Sequence, residues 1–355
     1  MMHRLPITVS FDALDSLIQI TRGLGYQYRS SYASFLLEHG IDLHASCPNA
    51  TCEVVQELAL KAIHDQVRVE RAAWTRSANP KEMPIGGDTD EELRSFWTRV
   101  LRQTYTCATL YDGAAADVVQ RIEELWSDHH NEVRRFEDYV LFDQFSSTKA
   151  HSWYPEGLRT LQCLRKWNQV QVSRDKSAVR PGLVEPTPAS DLDVVSPSTA
   201  AASPVLFLAA PPFVVSNMDP RIRGVFMQLG ALEAGERGEP PLLSRIISAR
   251  DTGYAKPSPI GILTGVRDIA ASYRAACRSG GGVCDAGVDV HRHVHVGDAD
   301  ADRVACERAG CHFVQCDPAT GVTWGLLQSK LQELEALYGS APSLQRAMRG
   351  DSSSA

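Results

Sequence analysis

No basic tract, no bilayer-length apolar run and no C-x-x-C pair occurs in this 355-residue chain. The first absence argues against nucleic acid as a partner, because affinity for a phosphate backbone comes from clustered Lys and Arg. The formal net charge of −7 points the same way. The second absence argues against a membrane-spanning helix. The opening residues "MMHRLPITVSFD" have no signal-peptide apolar core and no Arg/Ser-rich amphipathic stretch. A cytoplasmic location is therefore expected, with mitochondrial import through an internal signal left open. The nine cysteines are scattered and odd in number, which reads as free buried thiols. Cys306, Cys311 and Cys316 are evenly spaced but lack the pairing of a structural zinc site.

What is present is a 43% hydrophobic composition, enough for a proper core, in a length that suits two domains or one domain with a large insertion. Residues 5–12 read as a buried strand, apolar and without a breaker after Pro6. From about 19 to 150 the pattern is helical. "CEVVQELALKAIHDQVRVERAAW", "DEELRSFWTRVLRQTY" and "ADVVQRIEELWSDHHNEVRRF" each repeat apolar residues near helical spacing. Asp88 or Thr89 is placed to cap the second of these. "YPEGLRTLQCLRKWN" reads as one more short helix. Residues 169–204, rich in Pro, Ser and Ala and without period, read as a disordered insertion that cannot offset its own ordering entropy. A passive surface loop is the favoured role for it, and a protein-partner site the alternative.

Beyond residue 205, strand-like and helix-like runs alternate. Phe213 to Val215 form a strand ending at Ser216, and "DPRIRGVFMQLGAL" a helix with Asp219 as N-cap and Pro220 first in the helix. "LSRIISARD" is a strand, "SPIGILTGVRDIAASYRAAC" a helix, "VHRHVHVGD" a strand and "DRVACERAG" a helix, followed by a last strand and helix. This alternation predicts an α/β fold: a mostly parallel sheet with helices on both faces. His291, His293 and His295 alternate along one strand, so they share a face. That face reads as partly buried or lining a cleft rather than as a zinc site.

In such sheets ligands sit beyond the carboxyl ends of the strands. Three strand-like runs end in polar groups there: Asp12, Ser216-Asn217 and Asp298. Lys256, in "GYAKPSP", lies just before a helix. Together these make a coherent set. A carboxylate nucleophile accepts a phosphoryl group, a hydroxyl and backbone N–H groups hold its oxygens, and a lysine offsets negative charge. A second carboxylate binds Mg²⁺ with the first. Taken singly, each residue has a plainer reading as a turn, a cap or an exposed loop lysine.

"FDALDSL", "VVSNMD", "GYAKPSP" and "VHVGDADAD", in that order, resemble the four motifs of the haloacid dehalogenase (HAD) superfamily. Within it the chain is most similar to the haloacid-dehalogenase-like hydrolase domain-containing protein 3 subgroup, through its D-x-x-D-x-L and S-N-x-D forms and the "RSFWTRVL" stretch. The resemblance covers about residues 5–160 and 205–320. It implies a Rossmann-like core from residues 1–18 and 151–355, with a helical cap inserted at about 19–150. It further implies Asp12 as nucleophile, Ser216 and Asn217 as the phosphate-binding pair and Lys256 as the cation that neutralises Asp12. The implied Mg²⁺ set is Asp12, Leu14, Asp298 and Asp302, with Asp300 competing for the place of Asp302. The implied substrate is a small phosphate ester or similar anion.

One element of that pattern is missing. Phosphatases of the superfamily use D-x-D, and the second aspartate protonates the leaving group and later activates water. Here that position is Leu14. Loss of a general acid–base is worth roughly 10²–10⁴ in rate. Asp15 is the nearest stand-in, but it occupies the usual glycine position, and one step along an extended chain turns a side chain the other way. The expectation is a phosphatase-type hydrolase of weak or specialised activity, with a non-catalytic binding or assembly protein on the same fold as the alternative.

Overall fold

The computed structural model describes residues 4–74, 86–87, 89–177, 205–235, 238–279 and 287–339. Its strands are β1 (Arg4–Phe11), β2 (Ile18–Ile20), β3 (His151–Trp153), β4 (Val205–Leu208), β5 (Phe213–Ser216), β6 (Arg245–Ser248), β7 (His293–Gly297) and β8 (His312–Gln315). Between β2 and β3 stand α1 (Leu24–Glu38), α2 (Leu43–Ser46), α3 (Cys52–Trp74), α4 (Asp90–Tyr105), α5 (Ala116–Asp128) and α6 (His130–Asp138). The later helices are α7 (Pro155–Ser177), α8 (Ile222–Gln228), α9 (Ala249–Thr252), α10 (Ile260–Ser279), α11 (Asp300–Ala309) and α12 (Trp324–Gly339).

The main sheet runs β6-β5-β1-β7-β8, all parallel, with the first strand of the chain at its centre. β4 and β5 lie on the same side of β1. β4 pairs with Arg4–Ile7 and β5 with Ser10 and Phe11. The break between them falls at Pro211-Pro212, which have no N–H to give to a ladder. The sequence pattern predicts only the second of these strands.

Side-chain alternation on β1 sorts the core into two faces. Ile7, Val9 and Phe11 pack with Leu161 and Leu164 of α7, Phe226 of α8 and Leu327, Leu331 and Leu334 of α12. On the opposite face Phe213, Val215 and Ile247 meet Ile262, Val266 and Ile269 of α10 and Ala305 of α11. α10 can lie this close because residue 265 is glycine: a Cβ there would stand 2.1 Å from the Phe213 ring. The fold class is thus α/β with a mostly parallel sheet, as the alternation predicts.

The helices between β2 and β3 bury a core of their own, built on Tyr28, Tyr32, Phe35, Leu101, Tyr105, Leu125 and Phe136. Tyr32 and Tyr105 stack at 4.2 Å between ring centroids. Thr89, one of the two expected caps, starts α4 with a capping box, its hydroxyl accepting from Glu92 N–H and the Glu92 carboxylate accepting from Thr89 N–H. The chain leaves and re-enters the sheet layer through the antiparallel pair β2–β3.

Several local expectations need correction. α7 continues through Ser177, so the segment read as disordered from residue 169 begins as helix, and residues 178–204 lie outside the described residues. α8 begins at Ile222, so Asp219 is not its N-cap. Its carboxylate instead accepts from the backbone N–H and the guanidinium of Arg221 and from the Trp97 indole N–H at 3.2 Å. Arg221 also donates to the Leu141 carbonyl and lies over the Trp97 ring, so this turn ties α4 and the 139–144 turn to the sheet. His291 sits in a 3₁₀ turn before β7 and does not share the strand face of His293 and His295. Among the described residues seven cysteines are free as expected, but Cys277 is disulfide-bonded.

Candidate active site

Asp12 follows β1 at its carboxyl end, where the backbone N–H donates to the Val296 carbonyl at 2.7 Å. This bond extends the β1–β7 ladder by one residue and sets the direction in which the side chain projects. One carboxylate oxygen accepts from the Ala13 N–H at 2.8 Å and from Lys256 Nζ at 2.7 Å. Lys256 is buried, and its three ammonium protons have three acceptors: Asp12 Oδ1, Asp302 Oδ1 at 2.5 Å and the Val215 carbonyl at 3.1 Å. Burial disfavours the charged amine, but the two carboxylates outweigh it and hold its pKa above the ordinary value.

The side chain after β5 fixes the backbone of this lysine. Asn217 closes a double hydrogen bond with the Lys256 peptide group, Oδ1 accepting from its N–H at 2.6 Å and Nδ2 donating to its carbonyl at 3.0 Å. The Asn217 side chain thus positions Lys256, a role the sequence reading did not assign to it. Ser216, at the end of β5, is buried and accepts from the Met218 N–H at 3.1 Å.

Asp298 and Asp302 come from the turn after β7 and the first turn of α11. Gly297 is required between strand and turn, because a Cβ there would lie 2.4 Å from the Asp302 carboxyl carbon. Asp302 is fully buried. Burial opposes its ionisation, but the His295 hydrogen bond and Lys256 overcome this and hold its pKa down to about 2. Among the described residues Asp298 has no such partner. Burial first, and then the charges of Asp12, Asp302 and Asp15, push it up to about 6. Asp300 is exposed and engages Arg303, so it does not take the place of Asp302.

Asp15 adopts a left-handed backbone at φ 60°, the conformation that makes glycine the usual occupant of such a turn. Burial first, and then the charge of Asp12, raise its pKa, against the nearby Tyr154 hydroxyl, which lowers it. Leu14 bridges to Ile18 and offers no side-chain donor, so it drops out of the expected metal set except through its backbone carbonyl.

Among the described residues, Asp12, Asp298 and Asp302 form a group whose ligand oxygens lie within 4.8 Å of one another. Hard carboxylate oxygens suit Mg²⁺. The charge balance suits a cation as well: four carboxylates that influence one another face a single ammonium. Asp302 already accepts from Lys256, His295 and the Ala299 N–H, so Asp12 and Asp298 are the two with oxygens to spare.

The raised Asp298 has a stability consequence. Its folded pKa lies above the ordinary 3.8, so the folded state keeps a proton that the unfolded state releases, and stability falls as pH rises from about 4 to about 6. Asp298→Asn is therefore expected to raise the metal-free melting temperature at pH 7 and to erase the stabilisation that Mg²⁺ gives the parent. Thermal melts in EDTA and in Mg²⁺ measure both. A variant less stable in EDTA that still responds fully to Mg²⁺ would refute both the repulsion and the metal role.

No helix among the described residues is long and apolar enough to cross a membrane. No protein-family model matches the chain, and no curated protein matches it. Among solved structures, the chain is similar to a 2-haloacid dehalogenase from Pseudomonas syringae pv. Tomato DC3000, at 14% identity over 94% of this chain and 100% of that one, with a TM-score of 0.40. It is also similar to YfnB from Bacillus subtilis in a magnesium-bound form, at 12% identity over 89% and 90% of the two chains, with a TM-score of 0.39. Likenesses this loose carry no functional weight, and the functional reading rests on the side chains gathered around Asp12.

Proposed function

We propose that the chain is a Mg²⁺-dependent hydrolase of the HAD superfamily, acting on phosphate esters or similar anions, with Asp12 as nucleophile. The observation that supports this most is the Asp12–Lys256–Asp302 ion-pair cluster at the carboxyl edge of a parallel sheet, with Asp298 beside it. An Asp12 oxygen would attack phosphorus while the bond to the leaving oxygen breaks. Lys256 would draw charge from Asp12 and from the transferring group, and Ser216 with the Asn217 backbone would hold the remaining oxygens. Mg²⁺, held by Asp12 and Asp298, would supply the charge that lets an anionic substrate approach a carboxylate. The acidic cluster also favours phosphoryl chemistry over halide displacement, which needs no metal. The subgroup likeness rests on "FDALDSL", "VVSNMD" and the "RSFWTRVL" stretch.

Leu14 favours a second reading, a binding protein on the same fold, because it removes the proton donor. A panel of phosphate substrates with Mg²⁺, run with wild type and Asp12→Asn, separates the two. Turnover lost in the variant supports the hydrolase, and an equal background in both supports the binding protein.

A site without its acid should also sort substrates by leaving group. We expect measurable turnover of p-nitrophenyl phosphate and acyl phosphates and very little of alkyl phosphates. Leu14→Asp should raise alkyl phosphate turnover by up to about 10². Efficient wild-type hydrolysis of an alkyl phosphate, lost on Asp15→Asn, would instead make Asp15 the acid–base.

A further inference from the structure

Behind the candidate site runs a buried polar ladder. On the sheet face that packs against α10 and α11, β1 contributes Thr8 and Ser10, and β7 contributes His293 and His295. Their neighbours on that face are Phe213, Val215, Ile247 and Ile262, and the Phe213 ring stacks on His293 at 5.4 Å. Strands of a parallel sheet covered on both sides ordinarily carry apolar residues at such places. Here all four side chains are polar and almost wholly buried, and each is hydrogen-bonded. Thr8 Oγ1 meets His293 Nδ1 at 2.8 Å, and His293 Nε2 meets Ser10 Oγ at 2.8 Å. Ser10 Oγ meets His295 Nδ1 at 2.7 Å, and His295 Nε2 meets Asp302 Oδ1 at 3.0 Å.

The ladder has a direction. Asp302 accepts from the buried Lys256 ammonium at Oδ1 and from the Ala299 N–H at Oδ2, so it stands as the acceptor and His295 donates from Nε2. In the Nε2–H tautomer, Nδ1 of His295 accepts from the Ser10 hydroxyl. Ser10, having spent its single proton, accepts from His293 Nε2–H. His293 Nδ1 then accepts from Thr8. Burial is the main cause that holds the His293 pKa well below the ordinary value, and it keeps that ring neutral. Thr8, Ser10, His293 and His295 are all satisfied in this one arrangement.

We propose that His295 is a positioning residue for this site: with its tautomer set by Ser10, His293 and Thr8, its Nε2–H holds the Asp302 carboxylate against Lys256. The inference rests on the reading of Lys256 as the cation that serves Asp12. Asp302 Oδ1 accepts from both His295 and Lys256, while Oδ2 accepts from the Ala299 N–H at 3.2 Å. Without the imidazole, one backbone N–H and a flexible lysine would have to orient the carboxylate, and the ammonium would follow wherever the carboxylate turned. Fixing the group behind a reacting group typically matters by one to two orders of magnitude in rate.

Two measurements test this. The first compares His295→Leu, His295→Gln and Asp12→Asn with the wild type on p-nitrophenyl phosphate and Mg²⁺. Gln can place an amide N–H where Nε2–H stood, whereas Leu cannot. His295→Leu is expected to lower kcat by about 10–100-fold with KM little changed, and His295→Gln to recover most of that loss. The second is imidazole ¹⁵N NMR of the histidine-labelled wild-type chain, which needs neither turnover nor a variant that folds. His293 is expected as a neutral Nε2–H tautomer, and His295 with a proton on Nε2. A His295→Leu protein as active as wild type, when Asp12→Asn is inactive, overturns the inference and leaves the nucleophile reading intact. An Nδ1–H tautomer at His295 overturns it as well. If Asp12→Asn retains wild-type turnover, the reading of the site falls, and with it the role proposed for His295.

Discussion

Asp12→Asn should lower turnover of p-nitrophenyl phosphate by about 10⁴-fold or more, the scale seen when a nucleophile is removed from a set that acts together. The amide is nearly isosteric and can still accept from the Ala13 N–H, so the fold should survive. The loss should appear in kcat. Steady-state kinetics with Mg²⁺, on variant protein whose melting curve matches the parent, measure it. Residual activity within tenfold of wild type would show that the carboxylate at the end of β1 does not attack substrate.

The largest stability effect should come from Lys256→Met. The lysine is buried against Asp12 and Asp302, and removing it leaves two carboxylates facing each other with one cation gone. Breaking a buried pair from one side costs about 3–5 kcal/mol. Urea unfolding in EDTA should show a loss of this size, and Mg²⁺ should restore part of it by supplying the missing charge. A second substitution, Asp302→Asn, should return some of the loss, because neighbouring charges are not additive. An unfolding midpoint within a few tenths molar of the parent would mean that the cluster stores no such interaction.

The parts of this molecule that could be read in its sequence are those governed by local pattern. An apolar run ending in Asp12, and others ending in Ser216 and Asp298, could be recognised because a parallel strand places its last residues at the binding edge. The strand–helix alternation after residue 205 announced the sheet for the same reason. Contacts between distant segments were not legible. Nothing near His295 reveals that Ser10, 285 residues away, faces it, since that depends on the β1–β7 register. Nor does Asn217 show locally that it will grip the Lys256 peptide. Asp219 read as a cap because Asp-Pro commonly opens a helix, and tertiary partners, Trp97 and Arg221, claimed its carboxylate instead. The polar composition after residue 169 suggested disorder, yet packing of the first turns of α7 carries the helix on to Ser177. Asp15 lies between these cases. Its place in "FDALDSL" marked a glycine-like turn, and the left-handed backbone there is a local property, but the distant groups that act on its carboxylate, such as Tyr154, are not.

Covalent trapping tests the central claim most directly. Wild-type protein, mixed with Mg²⁺ and an acyl phosphate substrate and quenched early, is treated with borohydride, which reduces an aspartyl phosphate to homoserine. Trypsin then releases residues 5–22, which contain both Asp12 and Asp15, and fragmentation locates the change. Homoserine at Asp12, absent in the Asp12→Asn protein, is the expected result. Homoserine at Asp15, or turnover with neither aspartate reduced, would contradict it.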